Sequence, residues 1–191
     1  MHREADMADG IRPIRRVVTG NDAQGRSKVI YDSAAPGVKA SAFKQGTGMT
    51  DIWLWETCPA PIAGTRDDGD VPFHFEPPAK GGRLRVVESA KCPPNHDPKA
   101  DKFLTPEVAP HKTEGGTWER GGQNLYTTRI HKSETLDYGI VISGERWLKT
   151  DDGERCLYPG DVCIQVGSWH AWKDLIGSQM AFVMMTAAFD S

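Results

Sequence analysis

The chain has 191 residues, which suits one domain, or one domain with a substantial extension, and is long enough to bury a hydrophobic core. Its formal net charge is −3, 26% of its residues are charged, and it contains no basic block, so nucleic acid and anionic membranes are poor partners. No stretch approaches the roughly 18 apolar residues that a membrane-spanning helix needs.

The N-terminal segment "MHREADMADG" is polar and lacks the apolar core of a signal peptide. We therefore expect residues 1–10 to form a disordered lead-in, and we expect the protein to be cytoplasmic. The cysteines Cys58, Cys92, Cys156 and Cys163 form no CxxC pair. This spacing favours free thiols in a reducing compartment over a cysteine zinc site or two disulfides.

The first half of the chain contains short β-type runs separated by glycine, proline and Asp/Asn turns. Such runs occur between residues 11 and 62, and the alternating "RLRVVES" at 83–89 predicts a further strand. Residues 91–116 are rich in proline and charge, which predicts a long loop or arm. This half has too few apolar segments for a core of its own, so we expect residues 11–119 to add strands and an arm to a barrel formed by residues 120–191.

The second half is a series of seven short runs with strand character. The runs are joined by "SGE", "TDDGE", "PGD" and "IGSQ", which are typical of hairpin turns. No segment repeats its apolar residues with a helical period of about 3.6. Regularly spaced short strands of this kind predict an all-β sandwich or barrel.

One run of this half, "RIHKSETLDYGIVISGERW", carries the candidate functional residues. Alternate residues of a strand share a face, so an unbroken strand would place His131 and Asp137 on the same side. The turn at Gly167 would return the chain with His170 and Trp172 on one face. Two histidines and a carboxylate that meet inside a barrel form a site suited to a divalent transition metal.

The same residues resemble the two sequence motifs of the cupin superfamily, in its single-domain, RmlC-like form. In the first motif, His131 takes the place of the first histidine, Asp137 that of the glutamate and Gly144 that of the closing glycine. The resemblance implies a double-stranded β-helix, the jelly-roll barrel of the cupins, here with additional N-terminal strands. The matching positions of the second motif are Gly160, Asp161, Gly167 and His170, with Asp174 in place of its asparagine.

The resemblance also implies one divalent metal ion, of iron, manganese, nickel or zinc, on His131, Asp137 and His170. The chain departs from the family pattern at two of the four usual ligands. Ser133 replaces the second histidine, and Asp137 is shorter than the usual glutamate. These departures predict weak metal affinity and a site that is partly or wholly empty. Among the remaining histidines, His111 is the nearest candidate for an additional ligand.

Other roles for these residues remain open. The pair of His131 and Asp137 can serve as a general acid–base couple without metal, because a carboxylate raises the pKa of a neighbouring imidazole. Alternatively, both are polar residues hydrogen-bonded inside the barrel. Three residues are candidates for binding the substrate: Arg129 as an anchor for a carboxylate, Ser133 as a hydrogen-bonding partner, and Trp172 as an aromatic surface, although Trp172 can also be part of the core.

Two classes of function therefore remain for a small organic molecule in the barrel. The first is a metal-dependent enzyme of the dioxygenase, isomerase, decarboxylase or lyase class, with His131, Asp137 and His170 as its catalytic residues. The second is a metal-free binding protein without catalysis. Because cupins pair through sheet edges and N-terminal arms, the resemblance also implies a homodimer.

Overall fold

The structure is a computed structural model that describes residues 10–62 and 67–189. The predicted all-β class is confirmed, since these residues form strands and no α-helix. The predicted lead-in at residues 1–10 lies outside the described residues except for Gly10. The strands are β1 (Arg15–Asn21), β2 (Ser27–Ala34), β3 (Gly37–Ala40), β4 (Gly48–Trp55), β5 (Gly82–Ser89), β6 (Glu107–Lys112), β7 (Trp118–Gly121), β8 (His131–Lys132), β9 (Thr135–Gly144), β10 (Arg146–Thr150), β11 (Gly153–Leu157), β12 (Val162–Val166), β13 (Ala171–Lys173) and β14 (Ser178–Thr186).

The larger sheet, which we call the back sheet, has six strands in the order β12-β9-β14-β5-β4-β3. All of its neighbouring strands are antiparallel. Along β9 the burial alternates, so that Asp137 and Val141 are buried while Tyr138 and Ile140 are exposed on the other face. This alternation is expected of a sheet with one face on a core and one face toward solvent.

The opposite wall, which we call the front sheet, consists of two three-stranded groups, β11-β10-β13 and β6-β7-β8. Two isolated bridges join the groups, one between Thr127 and Lys173 and one between His131 and His170. The seam between the groups is therefore closed by backbone pairing at the two histidines. This closure fixes the relative position of their side chains.

The side chains between the two sheets are mainly apolar toward one end of the strands and mainly polar toward the other end. In the back sheet Val141 lies beside Met180 toward one end, and Asp137 lies beside Met184, which lies beside Arg83, toward the other end. We call the two ends the apolar end and the polar end of the barrel. The buried apolar cluster consists of Val141, Trp172, Met180, Phe182 and Met184. We define the polar end by these buried or half-buried polar residues in or next to β8, β9, β12 and β13: His131, Ser133, Thr135, Asp137, Gln165 and His170.

The first half of the chain contributes to the same sheets as the second half. Strands β3, β4 and β5 lie in the back sheet next to β14, whereas β1 and β2 form a separate hairpin. Arg16 of β1 attaches this hairpin by donating hydrogen bonds to Asp67 and to the carbonyl oxygen of Ile52. The predicted arm is partly regular, because β6 lies within residues 91–116 and pairs with β7.

None of the described residues form a helix long and apolar enough to cross a membrane. The cysteines Cys58, Cys92, Cys156 and Cys163 are all free thiols.

Candidate functional site

His131 and His170 form a close pair at the seam of the front sheet. The amide of His131 donates to the carbonyl oxygen of His170 at 2.9 Å, and the amide of His170 donates back at 3.0 Å. Residues that exchange both bonds lie directly opposite each other, and their side chains share a face. The centroids of the two imidazole rings are consequently 4.3 Å apart, with their planes tilted by 53°.

Each imidazole is held by a backbone carbonyl two residues earlier in the chain. Nδ1 of His131 lies 2.7 Å from the carbonyl oxygen of Arg129, and Nδ1 of His170 lies 2.9 Å from that of Ser168. A carbonyl oxygen only accepts, so each Nδ1 carries the proton that it donates. In the neutral ring, Nε2 then keeps its lone pair and can accept a proton or bind a metal.

Burial keeps both histidines neutral. It lowers the pKa of His131 below the usual value, an effect that the carbonyl of Arg129 and the charge of Glu119 only partly oppose. Burial, followed by repulsion from His131, lowers the pKa of His170 to about 3. Two adjacent imidazolium ions would repel each other in a medium that screens charge poorly. The pair therefore presents lone pairs, and not positive charge, to the barrel.

Asp137 lies on the back sheet and has one unsatisfied oxygen. Its Oδ2 accepts a hydrogen bond of 3.0 Å from the hydroxyl of Thr135. Its Oδ1 is buried and has no hydrogen-bond partner among the described residues. Burial, followed by repulsion from Glu76, raises the pKa of Asp137 to about 6 against the lowering effect of Thr135. A carboxyl group in this state holds its proton more strongly than usual and can donate it.

Glu76 is a residue of this region that sequence reasoning missed. It lies in the loop between β4 and β5, and its Oε1 accepts a hydrogen bond from the hydroxyl of Thr117. Burial raises its pKa, while Thr117 and the arginines Arg83 and Arg85 lower it. The segment "FHFEPP" contains no pattern that marks a half-buried glutamate, so only the folded loop shows it.

Two buried arginines hold this loop in place. Arg83 donates to the carbonyl oxygens of His74 and Glu76, and Arg85 donates to those of Phe75 and His74. The carboxylate of Asp51 accepts from both guanidinium groups at 2.7 to 3.1 Å. Because β5 places both arginines on its buried face, the alternating "RLR" was the sequence signal for this cluster.

The predicted continuous strand from His131 to Asp137 is wrong. Strand β8 ends at Lys132 in the front sheet, and β9 begins at Thr135 in the back sheet. The chain crosses between the two walls at residues 133–134, so His131 and Asp137 project from opposite sheets. Both still belong to the polar end of the barrel.

The donor atoms fit a metal ion only in part. The two imidazoles expose Nε2, as metal-binding histidines do. Within the described residues, however, no three His, Cys, Asp or Glu side chains converge on one point that could hold a metal ion. Besides burial, the neighbouring charge of Glu76 raises the pKa of Asp137. A two-histidine, one-carboxylate centre on His131, Asp137 and His170 is therefore not assembled in this geometry.

The remaining candidate residues lie in different settings. The guanidinium of Arg129 is exposed and donates to Glu119 and Gln123. Ser133 is buried at the crossing between the sheets. Trp172 packs in the core, with its ring centroid 5.7 Å from that of Phe182 and 5.9 Å from that of His170.

Two further positions noted in the sequence have structural partners. His111 is exposed in β6, and its Nε2 lies 3.4 Å from Glu119. Asp174, at the asparagine position of the second motif, is buried and forms an ion pair with Arg146. The ammonium of Lys44 lies 3.7 Å from the same carboxylate. Asp174 is therefore a structural partner of Arg146.

A cavity of about 500 Å³ lies away from this site, between the arm and the outer surface of the front sheet. His131, Asp137 and His170 do not line it. The size of a cavity and the position of chemically competent side chains thus point to different places in this protein. The imidazoles with free Nε2 atoms and the unsatisfied oxygen of Asp137 lie outside this cavity.

Comparison with known proteins gives relatives from fungi. A cupin-domain-containing oxidoreductase of Hypocrea virens is 46% identical over 176 residues, which cover 90% of this chain and 72% of the relative. A phomopsin biosynthesis cluster protein of Diaporthe leptostromiformis is 39% identical over 71 residues, and the match spans only 35% of each chain.

No family model matches the chain. Among solved structures, the Cnp3 cupin domain of Schizosaccharomyces pombe covers 91% of this chain and 83% of its own. It has a TM-score of 0.38 and 9% identity, which is too distant to bear on function. The relative from Hypocrea virens matches along almost the whole chain, and the strands form the predicted two-walled barrel. The chain belongs to the cupin superfamily.

Proposed function

We propose that this protein is an enzyme that binds a small organic molecule at the polar end of its barrel and transfers protons on it. The observation that carries the proposal is the state of the histidine pair. Both Nδ1 atoms are bound to backbone carbonyls and both rings are neutral, so each Nε2 is available as a base. Neutral, oriented imidazoles are the most common general bases in enzymes.

Asp137 supplies the complementary group on the opposite wall. Its pKa of about 6, raised by burial, leaves part of the carboxyl protonated near neutral pH. Its Oδ1 is buried without a protein partner, and such atoms in native proteins call for an explanation. A hydrogen bond between this carboxyl and a bound molecule would satisfy it. In this proposal the imidazole pair accepts a proton from one side of the ligand while Asp137 donates on the other.

The two histidines are not equivalent bases. The strong lowering of the pKa of His170 makes its Nε2 a weak proton acceptor. Burial lowers the pKa of His131 as well, but the charge of Glu119 favours its protonated form, an effect that the charge of Arg129 partly offsets, whereas the charged neighbour of His170 is His131, which disfavours protonation. We therefore assign the proton-accepting role to His131 and a hydrogen-bonding role toward the ligand to His170.

The name of the Hypocrea virens relative, an oxidoreductase, supports an enzymatic role. Oxidation or reduction also needs an electron carrier. The imidazole pair offers two donors to a divalent metal, but no third ligand converges with them among residues 10–62 and 67–189. The proposed proton transfer uses only the protein's own side chains.

A metal-free binding protein without catalysis is the second candidate. It is favoured by the same buried hydrogen-bonding groups, which would orient a ligand equally well. The two candidates differ in whether a bond to hydrogen is broken in the bound molecule. They can be separated without knowledge of the natural substrate.

The experiment uses cyclohexanone in D₂O as a probe of proton transfer. A base removes the α-proton while an acid protonates the carbonyl oxygen, and reprotonation of the enol by the solvent introduces deuterium, which NMR detects.

We expect exchange to be faster with the wild-type protein than with His131→Asn by roughly 100-fold, the lower range for a positioned acid or base. His96→Asn, in a histidine that lines the cavity on the other face of the front sheet, is the matched control and should exchange like the wild type. Binding of the ketone without exchange would support the second candidate, and no difference between wild type and His131→Asn would contradict the first.

We also propose that the protein is a homodimer that pairs through the outer face of the back sheet. Strand β12 is an edge strand of that sheet. Its outward side chains are apolar and exposed, at 54% for Val162, 61% for Ile164 and 74% for Val166. The neighbouring outward residues of β9, Tyr138 and Ile140, extend the same surface. An exposed apolar face beside an unpaired strand edge needs covering in solution, and a second copy covers both at once.

A further inference from the structure

The cavity of about 500 Å³ outside the barrel has the size of a small-molecule site. One wall is the arm, with Pro93, Pro94 and Pro98, and the floor includes Lys149 of β10, Glu154 of β11 and Lys173 of β13. Prolines have few conformations to lose, so a wall built from them is already shaped before a ligand arrives.

Hydrogen bonds attach the arm to the rest of the chain on both sides of the cavity, although the arm forms no strand there. The amide of Cys92 donates to the carbonyl oxygen of Leu175 at 3.1 Å. Further along, the carboxylate of Asp101 accepts from the amides of Phe103 at 2.7 Å and Leu125 at 2.8 Å. These bonds join the arm to two other parts of the chain. Hydrogen bonds to the rest of the chain therefore hold in place the wall of the cavity that the arm forms.

The apolar part of the wall centres on Tyr126. The ring of His96 meets its edge at a centroid distance of 4.7 Å, and the ammonium of Lys44 lies 4.0 Å from its centroid. Burial raises the pKa of Tyr126, so the phenol stays uncharged. Tyr126, Leu175 and the prolines together present an apolar, uncharged surface to a ligand.

Two lysines, Lys149 and Lys173, line the polar part of the wall, and Lys149 also borders a smaller neighbouring cavity that Glu107 lines. Lys173 lies 3.0 Å from Glu154, and Lys149 lies 3.6 Å from Glu107, which is not part of the cavity lining. An ammonium group has three donors, so one carboxylate partner leaves two for a ligand. Two lysines face one lining glutamate, which makes this part of the wall positive.

The cavity and the histidine site lie on opposite faces of the front sheet. Lys173 lines the cavity, whereas Trp172, its neighbour in β13, points into the barrel core with His170. Successive residues of a strand point to opposite faces. A ligand in the cavity therefore does not touch the imidazole pair.

We propose that this cavity is a second binding site, specific for a small organic anion with an apolar body. The anionic group would bind the ammonium groups of Lys149 and Lys173, and the apolar body would lie on Pro93 and Tyr126. Hydrogen bonds between ions are about twice as strong as those between neutral groups, so the charge decides specificity. The proposal is independent of the chemistry assigned to the barrel.

The test uses benzoate as the anionic probe and benzyl alcohol as its neutral analogue, each titrated into the full chain and followed by NMR. We expect wild-type protein to bind benzoate and the double variant Lys149→Gln/Lys173→Gln to bind it at least about tenfold more weakly. Lys28→Gln, at an exposed lysine of β2, is the matched control and should bind like the wild type. Benzyl alcohol should bind to the wild type more weakly than benzoate does. Its affinity should be the same for the wild type and for the double variant.

Three results would overturn the proposal. One is that the wild type shows no binding at benzoate concentrations up to about 10 mM, because a dissociation constant above this value would be too weak for a specific site. Another is equal affinity of the wild type and the double lysine variant. The third is loss of benzoate binding in His131→Asn with retention in the double variant, which would place the probe in the barrel. Both lysines are partly exposed, so the variants are expected to fold, and a thermal melt of each verifies this.

Discussion

The backbones of His131 and His170 exchange hydrogen bonds of 2.9 and 3.0 Å, and their imidazole rings lie 4.3 Å apart on one face of the front sheet. The pairing places two basic groups together in a buried setting. Each ring is oriented by a carbonyl acceptor and deprived of charge by burial. This relationship underlies the proposed chemistry and one part of the response of the protein to acid.

The first prediction concerns stability in acid. The pKa of His170, lowered by burial to about 3, lies below the ordinary value of 6.5 that applies in the unfolded chain. Between these values the unfolded state binds a proton that the folded state does not. The stabilising contribution is therefore complete above pH 6.5 and is lost as the pH falls toward 3, by up to about 1.4 kcal/mol per pH unit.

Urea unfolding of wild type and His170→Asn at several pH values measures this dependence. Asparagine keeps a side-chain N–H near Nδ1 but does not titrate. We expect the variant to lose less stability than the wild type between neutral and mildly acidic pH. Parallel losses in the two proteins would show that His170 is already protonated or exposed.

The second prediction concerns the carboxyl group of Asp137. Carbon-13 NMR of its carboxyl group should give a titration midpoint of about 6, set mainly by burial, because the pKa is raised to that value. Thr135→Val removes the hydrogen bond that lowers the pKa and should move the midpoint higher. Thr150→Val, which removes a hydroxyl bonded to Asp152 and not to Asp137, is the control. A midpoint near 4 in the wild type would mean that Asp137 is solvated.

Asp137 changes the stability of the protein with pH in the direction opposite to that of His170. The folded-state pKa of Asp137, raised by burial to about 6, lies above the value of 3.8 for a free side chain. The folded state then binds the proton more tightly than the unfolded state does. Its contribution to stability is greatest below pH 3.8 and falls as the pH rises through 6.

The third prediction concerns the cluster that holds the loop bearing Glu76. Asp51→Ala leaves Arg83 and Arg85, each about 2% exposed, without their carboxylate. Removal of one partner from a buried ion pair destabilises a protein by roughly 3–5 kcal/mol. Urea unfolding should show a loss of this size. Asp32→Ala breaks the exposed pair with Arg15 and should change stability little, so equal effects of the two substitutions would contradict the assignment.

The fourth prediction concerns the oligomeric state. Light scattering at micromolar concentration should give the mass of a dimer for the wild type. Ile164→Glu places a charge on the exposed outer face of β12 and should give a monomer. Val29→Glu changes a valine of similar exposure in the β1–β2 hairpin and should remain dimeric. A monomeric wild type would exclude this surface as a dimer interface.

The fifth prediction concerns metal content. Protein purified without a histidine tag should contain less than one equivalent of iron, manganese, nickel or zinc. Two imidazoles without a converging third ligand bind a metal weakly, whereas typical sites use three or more protein ligands. A full equivalent that His170→Asn abolishes would show that Asp137 or another residue moves to complete the centre.

The sequence by itself determined the fold class and the two halves of the histidine pair. Glycine and Asp/Asn turns at regular spacing and alternating strands depend only on local backbone preferences, so they could be read along the chain. The resemblance at His131, Gly144 and His170 likewise rests on spacing along single strands. These features predicted an all-β barrel, and the structure confirms it.

Only the tertiary structure decided which groups share the site. Parity along a strand holds while the strand remains in one sheet, and the chain changes sheet between Lys132 and Thr135. That crossing moved Asp137 to the wall opposite His131, which no alternation pattern records. Glu76 takes its place because Thr117, 41 residues further along the chain, binds its carboxyl group. Its loop is held by Arg83 and Arg85, which are themselves held by Asp51 of β4, 32 and 34 residues earlier. Contacts between distant segments depend on how the sheets are stacked, and this stacking is a property of the whole fold.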